Sequence, residues 1–378
     1  MNPIETLLSK TRELTSTAQK TETQSTQQTN QKQTTASDGG DGGGGGSSSH
    51  HQTSKARWTE NSETTGDTAS AEWSIAESPV EKTLTGVVQT SVGPFAVGTG
   101  GKVLRRRTDG SWTIVVPQGP ATKRNKLTDV DVTDDGKRIW FAGSSGALGM
   151  YNTETGEKHD YSAPGGKTST WEAIAVGGGG DGSDGGSDGS EGGSGGGGEH
   201  LLIANGSGEV LSATIDDDGC PSFGEVVKPG SGSTIPALAL GGDAAYAIDT
   251  SGNVFERTDG EWADIGIRNA QVNFHDIYAS ERTLLVSGGG GLVYRYDRPC
   301  TNWTPIAVGK SALFAIDFEG DRAVAVGGGG VIHQRRRDDG WTQLSSPVES
   351  KLRSVALGDV DVAVGNSGTI VERAGGDR

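Results

Sequence analysis

The chain has 378 residues and a formal net charge of −16, with 31% hydrophobic residues and 63 glycines. Acidity on that scale argues against non-specific binding of the whole surface to nucleic acid or to an anionic membrane. Neither a secretory signal, a lipidation motif nor an apolar run long enough to span a bilayer is visible, so neither membrane insertion nor nucleic-acid binding is expected, and the expected location is cytoplasmic.

Residues 3–16 (PIETLLSKTRELTS) fit a short amphipathic helix, with Pro3 and Glu5 at its start and Ile4, Leu7, Leu8 and Leu14 on one stripe. At that length a helix is marginal alone in water, so 1–16 reads as a frayed tail or a peptide that folds on a partner. From 17 to 71 the chain is Gln, Thr, Ser and Gly, with Trp58 its one large apolar residue. That composition buries too little apolar surface to offset ordering entropy, and predicts a disordered tether.

From residue 72 onward one plan recurs. Two or three apolar residues run into a glycine-containing turn, and an aliphatic residue follows two positions after the last glycine. The copies are FAVGTGGKV (Phe95 to Val103), WFAGSSGAL (Trp140 to Leu148), LIANGSGEV (Leu202 to Val210), YAIDTSGNV (Tyr246 to Val254), LVSGGGGLV (Leu285 to Val293), AVGGGGVI (Ala325 to Ile332) and VAVGNSGTI (Val362 to Ile370). Such hairpins need positive φ, which costs a residue with a Cβ about 1 kcal/mol or more.

Ahead of each turn lies a strand signal, apolar residues three and five positions after a first one: Leu84/Val87, Leu127/Val130/Val132, Trp171/Ile174/Val176, Ile235/Leu238/Leu240, Phe274/Ile277, Leu313/Ile316/Phe318 and Leu352/Val355/Leu357. Behind it most copies end in an aromatic: Trp112, Tyr161, Phe223, Trp262, Trp303 and Trp341. Apart from the low-complexity tract 178–198, residues 73–373 divide into seven units of about 40, the length of a four-stranded propeller blade. The seventh unit has three strands and lacks a fourth with its Trp, which AEWSIAES around Trp73 can supply. The expected architecture is all-β: a seven-bladed β-propeller over 72–374, closed by pairing the N-terminal strand with the strand around Ile370.

The tract 178–198 falls inside blade 3 and reads as a solvated, disordered Gly/Asp/Ser loop. Cys220 and Cys300 belong to blades 3 and 5, too far apart for the Cα separation of about 4.4 to 6.8 Å that a disulfide needs. The sequons at Asn205 and Asn302 read as turn residues. Pro164-Gly-Gly-Lys-Thr168 imitates the end of a phosphate-binding loop, but strand-like sequence follows it where a helix should begin. Asp129-Val-Asp131 and Asp216-Asp-Asp-Gly219 lack the spaced ligands of a calcium loop and are assigned turn and solubility roles. His275 and His333 read as packing or surface residues. No nucleophile elbow, HExxH or CxxC pair occurs; no metal site, cofactor or catalytic residue is expected.

The segments TDGSW, TDGEW and DDGW resemble shortened Asp-boxes of the BNR type, from sialidase-like propellers, a family whose Asp-box is structural and whose activity rests on an arginine triad, a Tyr/Glu pair and an acid/base that cannot be assigned here. With its AVGxxG turns and DGxW closures, the whole array over about 73–373 looks more like the photosystem II stability/assembly-factor-like propellers, within the wider WD40/YVTN/BNR-like group. Its acidity resembles that of salt-adapted, haloarchaeal proteins. The resemblance implies a non-catalytic scaffold for protein–protein interaction or complex assembly, a monomeric ring with an unidentified protein partner. A sialidase-like glycan hydrolase or lectin is the alternative, for which converging carboxylates and arginines in a central pocket would speak.

Basic residues cluster at the ends of third strands: Arg105, Arg106 and Arg107 in blade 1, Arg335, Arg336 and Arg337 in blade 6, Arg373 in blade 7. Ring closure would make these blades neighbours and the arginines one basic sector, able to pair with carboxylate or phosphate. Such a sector would suit an anionic partner, nucleic acid included; against it, each arginine could instead pair with acids of its own turn, Asp109, Asp338 or Asp339. The inter-blade loop with Lys123, Arg124 and Lys126 is a second candidate contact, on the opposite face.

Overall fold

The computed structural model describes residues 72–178, 199–216, 219–267, 270–336 and 339–374. The expected helix 1–16, the tether 17–71 with Trp58, and the insertion from 179 to 198 lie outside the described residues, as do Arg337 and Asp338. The described residues form seven four-stranded antiparallel sheets, the expected propeller. Six blades are continuous in sequence: 84–116, 127–160, 171–227, 237–264, 274–307 and 313–344. Blade 7 takes three strands from 352–374 and its fourth, Ser74–Ile75, from the other end of the array. Ser74 pairs with Glu372, Ile75 with Val371, and the Ala76 N–H donates to the Ile370 carbonyl at 3.0 Å. The ring therefore closes where the sequence places the closure.

In each of the first six blades the strands run from innermost to outermost in chain order, and the innermost strands of successive blades touch in an unbroken circuit that includes blades 7 and 1. We call upper the face on which the innermost strands begin. It carries the inter-blade connections and the glycine hairpins between second and third strands; the other hairpins lie on the lower face.

The apolar core is a ring of seams. Seven buried clusters each join residues of two adjacent blades, such as Trp140 with Trp171 between blades 2 and 3, or Val97 with Leu127 between blades 1 and 2. No blade buries its faces alone, which is why the period had to repeat until the circle closed. Trp73, 6% exposed, fills its place in the seam between blades 6 and 7.

The last glycine of every upper hairpin has the same task. Gly101, Gly146, Gly208, Gly252, Gly291, Gly330 and Gly368 all have φ between 69° and 89°. A Cβ on Gly368 would also lie 1.9 Å from the Val80 carbonyl oxygen. Handedness and close approach to the inter-blade chain thus select glycine together.

In every blade except blade 4, the register between first and second strands shifts around one residue: Thr85, Thr128, Glu172, His275, Phe314 and Arg353 have no cross-strand partner. These are β-bulges, which release a side chain from the ladder and re-aim it. All six sit at the upper end of an innermost strand.

Of the two turn expectations at the sequons, one needs correction. Asn302 opens an outermost strand, Asn302–Ala307, rather than a turn. Asn205 does serve a turn, its Oδ1 accepting the Ser207 and Glu209 N–H groups.

Candidate functional site

Five of the six bulge residues, all but Glu172, fall into two chemical groups. In blades 1 and 2 they are threonines whose hydroxyls donate to the next blade: Thr85 to the Leu127 carbonyl at 2.8 Å, Thr128 to that of Trp171. These hold the ring together. In blades 5, 6 and 7 the same position carries His275, Phe314 and Arg353, which make no such bond.

Deeper along the innermost strands, four aspartates link neighbours in one pattern. Asp129 accepts the Val130 N–H and that of Ile174 in blade 3, each at 2.9 Å. Asp131 does the same with Val132 and Val176, Asp276 with Ile277 and Ile316, Asp317 with Phe318 and Leu357. Turn and solubility roles for Asp129 and Asp131 are therefore overturned: they sit inside the strand Leu127–Val132 and bind blade 2 to blade 3. Each keeps some accessible surface, yet protein surrounds it, and this burial pushes Asp129 up to about 6, Asp131 to about 7 and Asp276 to about 8, with Asp317 also raised. The accepted N–H groups oppose that rise without cancelling it. Carboxylates do converge, but both oxygens of each are committed to backbone. No group of three or more His, Cys, Asp or Glu among the described residues is arranged to hold a metal ion.

The basic residues at the ends of third strands fall on the lower face but into separate environments. Arg373, 5% exposed, donates through Nε and Nη2 to Asp361 at 3.0 and 2.8 Å, and stacks 4.9 Å from the Trp73 ring centre. Arg322 grips the same Asp361 from blade 6. Arg373 is thus a buried structural residue, not an available contact. Arg106 is paired with Glu372 at 2.9 Å, and the Trp112 indole N–H donates to the same oxygen at 2.6 Å. Arg105 lies 5.8 Å from the Phe95 ring centre and shares a small cleft with the exposed Arg107. Arg335 donates to the Asp339 carbonyl and faces blade 5, in an open cleft of about 980 Å³ with Arg282, Arg295 and Arg298. Arg336 is exposed at the strand end. The sector expected over blades 6, 7 and 1 is therefore divided.

On the upper face Lys167 is paired with Glu209 at 2.9 Å, but the basic residues of the loop between blades 1 and 2 are unspent. Lys123, Arg124 and Lys126 are exposed on the loop between blades 1 and 2, and none has an acidic partner among the described residues. The phosphate-loop imitation at 164–168 lies on the same face as a single turn, Pro164–Gly166, with no helix behind it. Across blades 5 to 7 the Lys351 ammonium stands 3.9 Å from the centre of the Phe314 ring, and the His275 ring lies tilted against Phe314 at 4.7 Å. Arg353 Nε donates to Asn366 Oδ1 at 2.7 Å. Burial, then the Lys351 charge, lowers His275; burial, then Arg353, lowers Lys351. Sequence reasoning passed over Phe314, Lys351 and Arg353 and assigned His275 to packing or the surface. Their signal was positional: His275, Phe314 and Arg353 each directly follow the first apolar residue of their unit.

Comparison with known proteins adds the following. A family model described as "Beta-prop_HVO_0234:-like, beta propeller" matches residues 193–378. No curated protein matches the chain. Among solved structures, a catalytically inactive virginiamycin B lyase from Staphylococcus aureus with quinupristin is similar at TM-score 0.62 and 16% identity, covering 80% of this chain and 99% of that one. A chain of the mitotic checkpoint complex gives TM-score 0.63 at 11% identity, covering 85% and 97%. YCF48 bound to D1 peptide gives 0.60 at 13%, covering 81% and 97%. At such identities these likenesses speak for the fold. The chain is a β-propeller protein, and its second half, from 193 on, is similar to the HVO_0234-like propellers.

Proposed function

We propose that this propeller is a non-catalytic scaffold that holds a protein partner against its upper face. The observation that carries the reading is the exposed trio Lys123, Arg124 and Lys126, cations with no acidic partner on a loop that rests on a rigid ring. A non-catalytic role is supported by the aspartates of the innermost strands, whose oxygens already accept backbone N–H groups. Two of the similar structures contain partners of the expected kind, a multiprotein complex and a bound peptide. An assembly role like that of photosystem II assembly-factor propellers fits this reading, without the photosystem as its object. Cytoplasmic location belongs to the same proposal, since the exposed free thiols Cys220 and Cys300 persist in a reducing compartment.

The test is affinity capture from native extract with the full chain, comparing Lys123→Glu/Arg124→Glu/Lys126→Glu with Arg105→Glu/Arg107→Glu. A partner recovered by the native chain and by the lower-face variant, but lost by the upper-face variant, is expected. The opposite pattern would move the contact to the arginines of the lower face. Release of sugar from a glycan panel would favour the hydrolase reading, and nucleic-acid affinity falling steeply with salt would favour the anion-binding one.

A further inference from the structure

Three consecutive blades break the pattern of the upper rim. Where blades 1 and 2 use a threonine to bind the next blade's carbonyl, blades 5, 6 and 7 present an imidazole, a phenyl ring and a guanidinium. Lys351 joins them from the residue before the innermost strand of blade 7. His275, Phe314, Lys351 and Arg353 are all half-buried. No carboxylate among the described residues pairs with the lysine, the arginine or the histidine; Lys351 has only the Phe314 ring, and Arg353 only a neutral amide. Cations gathered at half depth without a counter-ion repel one another, a cost set against only one ring contact and one hydrogen bond to an amide.

We propose that this cluster is a carboxylate-binding site, taking an acidic side chain or the C-terminal carboxylate of a peptide. The inference rests on the scaffold reading and names the chemistry by which that scaffold would hold its partner. Each group has a place in it. Arg353 offers a planar fork for two carboxylate oxygens, Lys351 a point charge, and His275 a ring N–H donor. Phe314 supplies an apolar floor that keeps water from the pair and strengthens it. A singly charged group suits the site better than a phosphate dianion, because the chain as a whole is strongly acidic, with a formal net charge of −16. The shifts of His275 and Lys351 are compatible with this: burial first, and then a neighbouring cation, lowers each.

The experiment follows the His275 imidazole resonances of the full chain during titration with trialanine, with trialanine amide and with inorganic phosphate. Trialanine should shift them saturably and raise the His275 pKa, because a bound carboxylate favours the imidazolium; the amide should not. Lys351→Met and Arg353→Gln, each checked for native circular dichroism, should weaken binding about tenfold or more, the scale on which charge-assisted bonds act. No saturable shift with trialanine, equal binding of acid and amide, tighter binding of phosphate, or undiminished binding by both variants would each overturn the site. Failure of the scaffold reading looks different: trialanine would bind while the full chain captured no protein. If the native chain and the Lys351→Met/Arg353→Gln variant captured a partner equally, the scaffold would stand and the carboxylate site would fall.

Discussion

On the lower face, Arg373 and Arg322 enclose Asp361 from two blades, and Arg106 meets Glu372 across the closure of the ring. On the upper face, Lys123, Arg124, Lys126 and Lys351 meet no acid among the described residues. The two faces thus use the same residue types for opposite ends: below, Arg106, Arg322 and Arg373 hold blades 6, 7 and 1 in register, while above, a loop trio and Lys351 are left open. Charge density along the sequence is a poor guide to availability. What decides is whether an acid faces the cation across the strand or seam, because a surface pair contributes about 0 to 1 kcal/mol whereas a buried one cannot lose a partner cheaply.

The sharpest way to break the comparison is Asp361→Ala. Two buried guanidinium groups would lose their shared carboxylate together, with Arg322 keeping only the more exposed Glu319, and a loss of about 3 to 5 kcal/mol is expected, read from the denaturant midpoint. A loss below about 1 kcal/mol would mean that the lower-face arginines are as free as the upper-face lysines. Glu372→Ala comes next, at about 2 kcal/mol, since it strips Arg106 and the Trp112 indole N–H of one shared acceptor. Hydrogen exchange should then quicken at Ser74 and Ile75, where the ring is closed by a strand of two residues. Glu372→Gln should lose about half as much, because its amide oxygen can still accept from Trp112.

Much of this contrast was legible in the sequence, but unevenly. Seven turns, one glycine position and the displaced Trp73 specify the blades and the closure, because hairpin geometry and burial act locally and repeat. The pairing of Arg373 with Asp361 was also within reach: a hairpin that sets Val364 opposite Ile370 sets Asp361 opposite Arg373 three residues on. Arg106 with Glu372 was not, since 266 positions separate them and only the circular arrangement joins them. The aspartates of LTDVDV were misread for a different reason. A carboxylate in a strand suggests an exposed face, yet between adjacent blades it can take backbone N–H groups from two strands at once. The upper cluster was hidden because its members come from three units, and only their shared bulge position unites them.

Between the faces, the buried aspartates make an effect of another kind, one that depends on pH. Asp276 is raised from 3.8 to about 8 by burial. Between those two values the folded chain holds the proton more tightly than the unfolded chain does, so the stability from this group is complete below pH 3.8 and is lost as pH rises toward about 8. Denaturation midpoints of the native chain should carry this downward contribution from pH 6 to 8, and Asp276→Asn should flatten it. The amide nitrogen would face a backbone N–H and lower stability at every pH, so the slope, not the midpoint, is the measurement. An unchanged slope would show that Asp276 is already ionised in the folded chain.

The smallest expected effect is also the one that most directly separates the faces. Lys351 makes one contact with an aromatic ring, worth about 0.5 to 1 kcal/mol at an exposed site, and opposing it is repulsion from Arg353. Lys351→Met keeps an unbranched apolar stem over Phe314 and removes the repulsion, so stability should change by no more than about 0.5 kcal/mol. Because screening weakens repulsion between half-exposed charges, any gain should be larger at low ionic strength than at high. A loss of 2 kcal/mol or so, on the scale of the buried lower-face bonds, would make Lys351 a structural residue like Arg373. Stability that survives the substitution while carboxylate affinity falls would mark the charge as kept for a ligand.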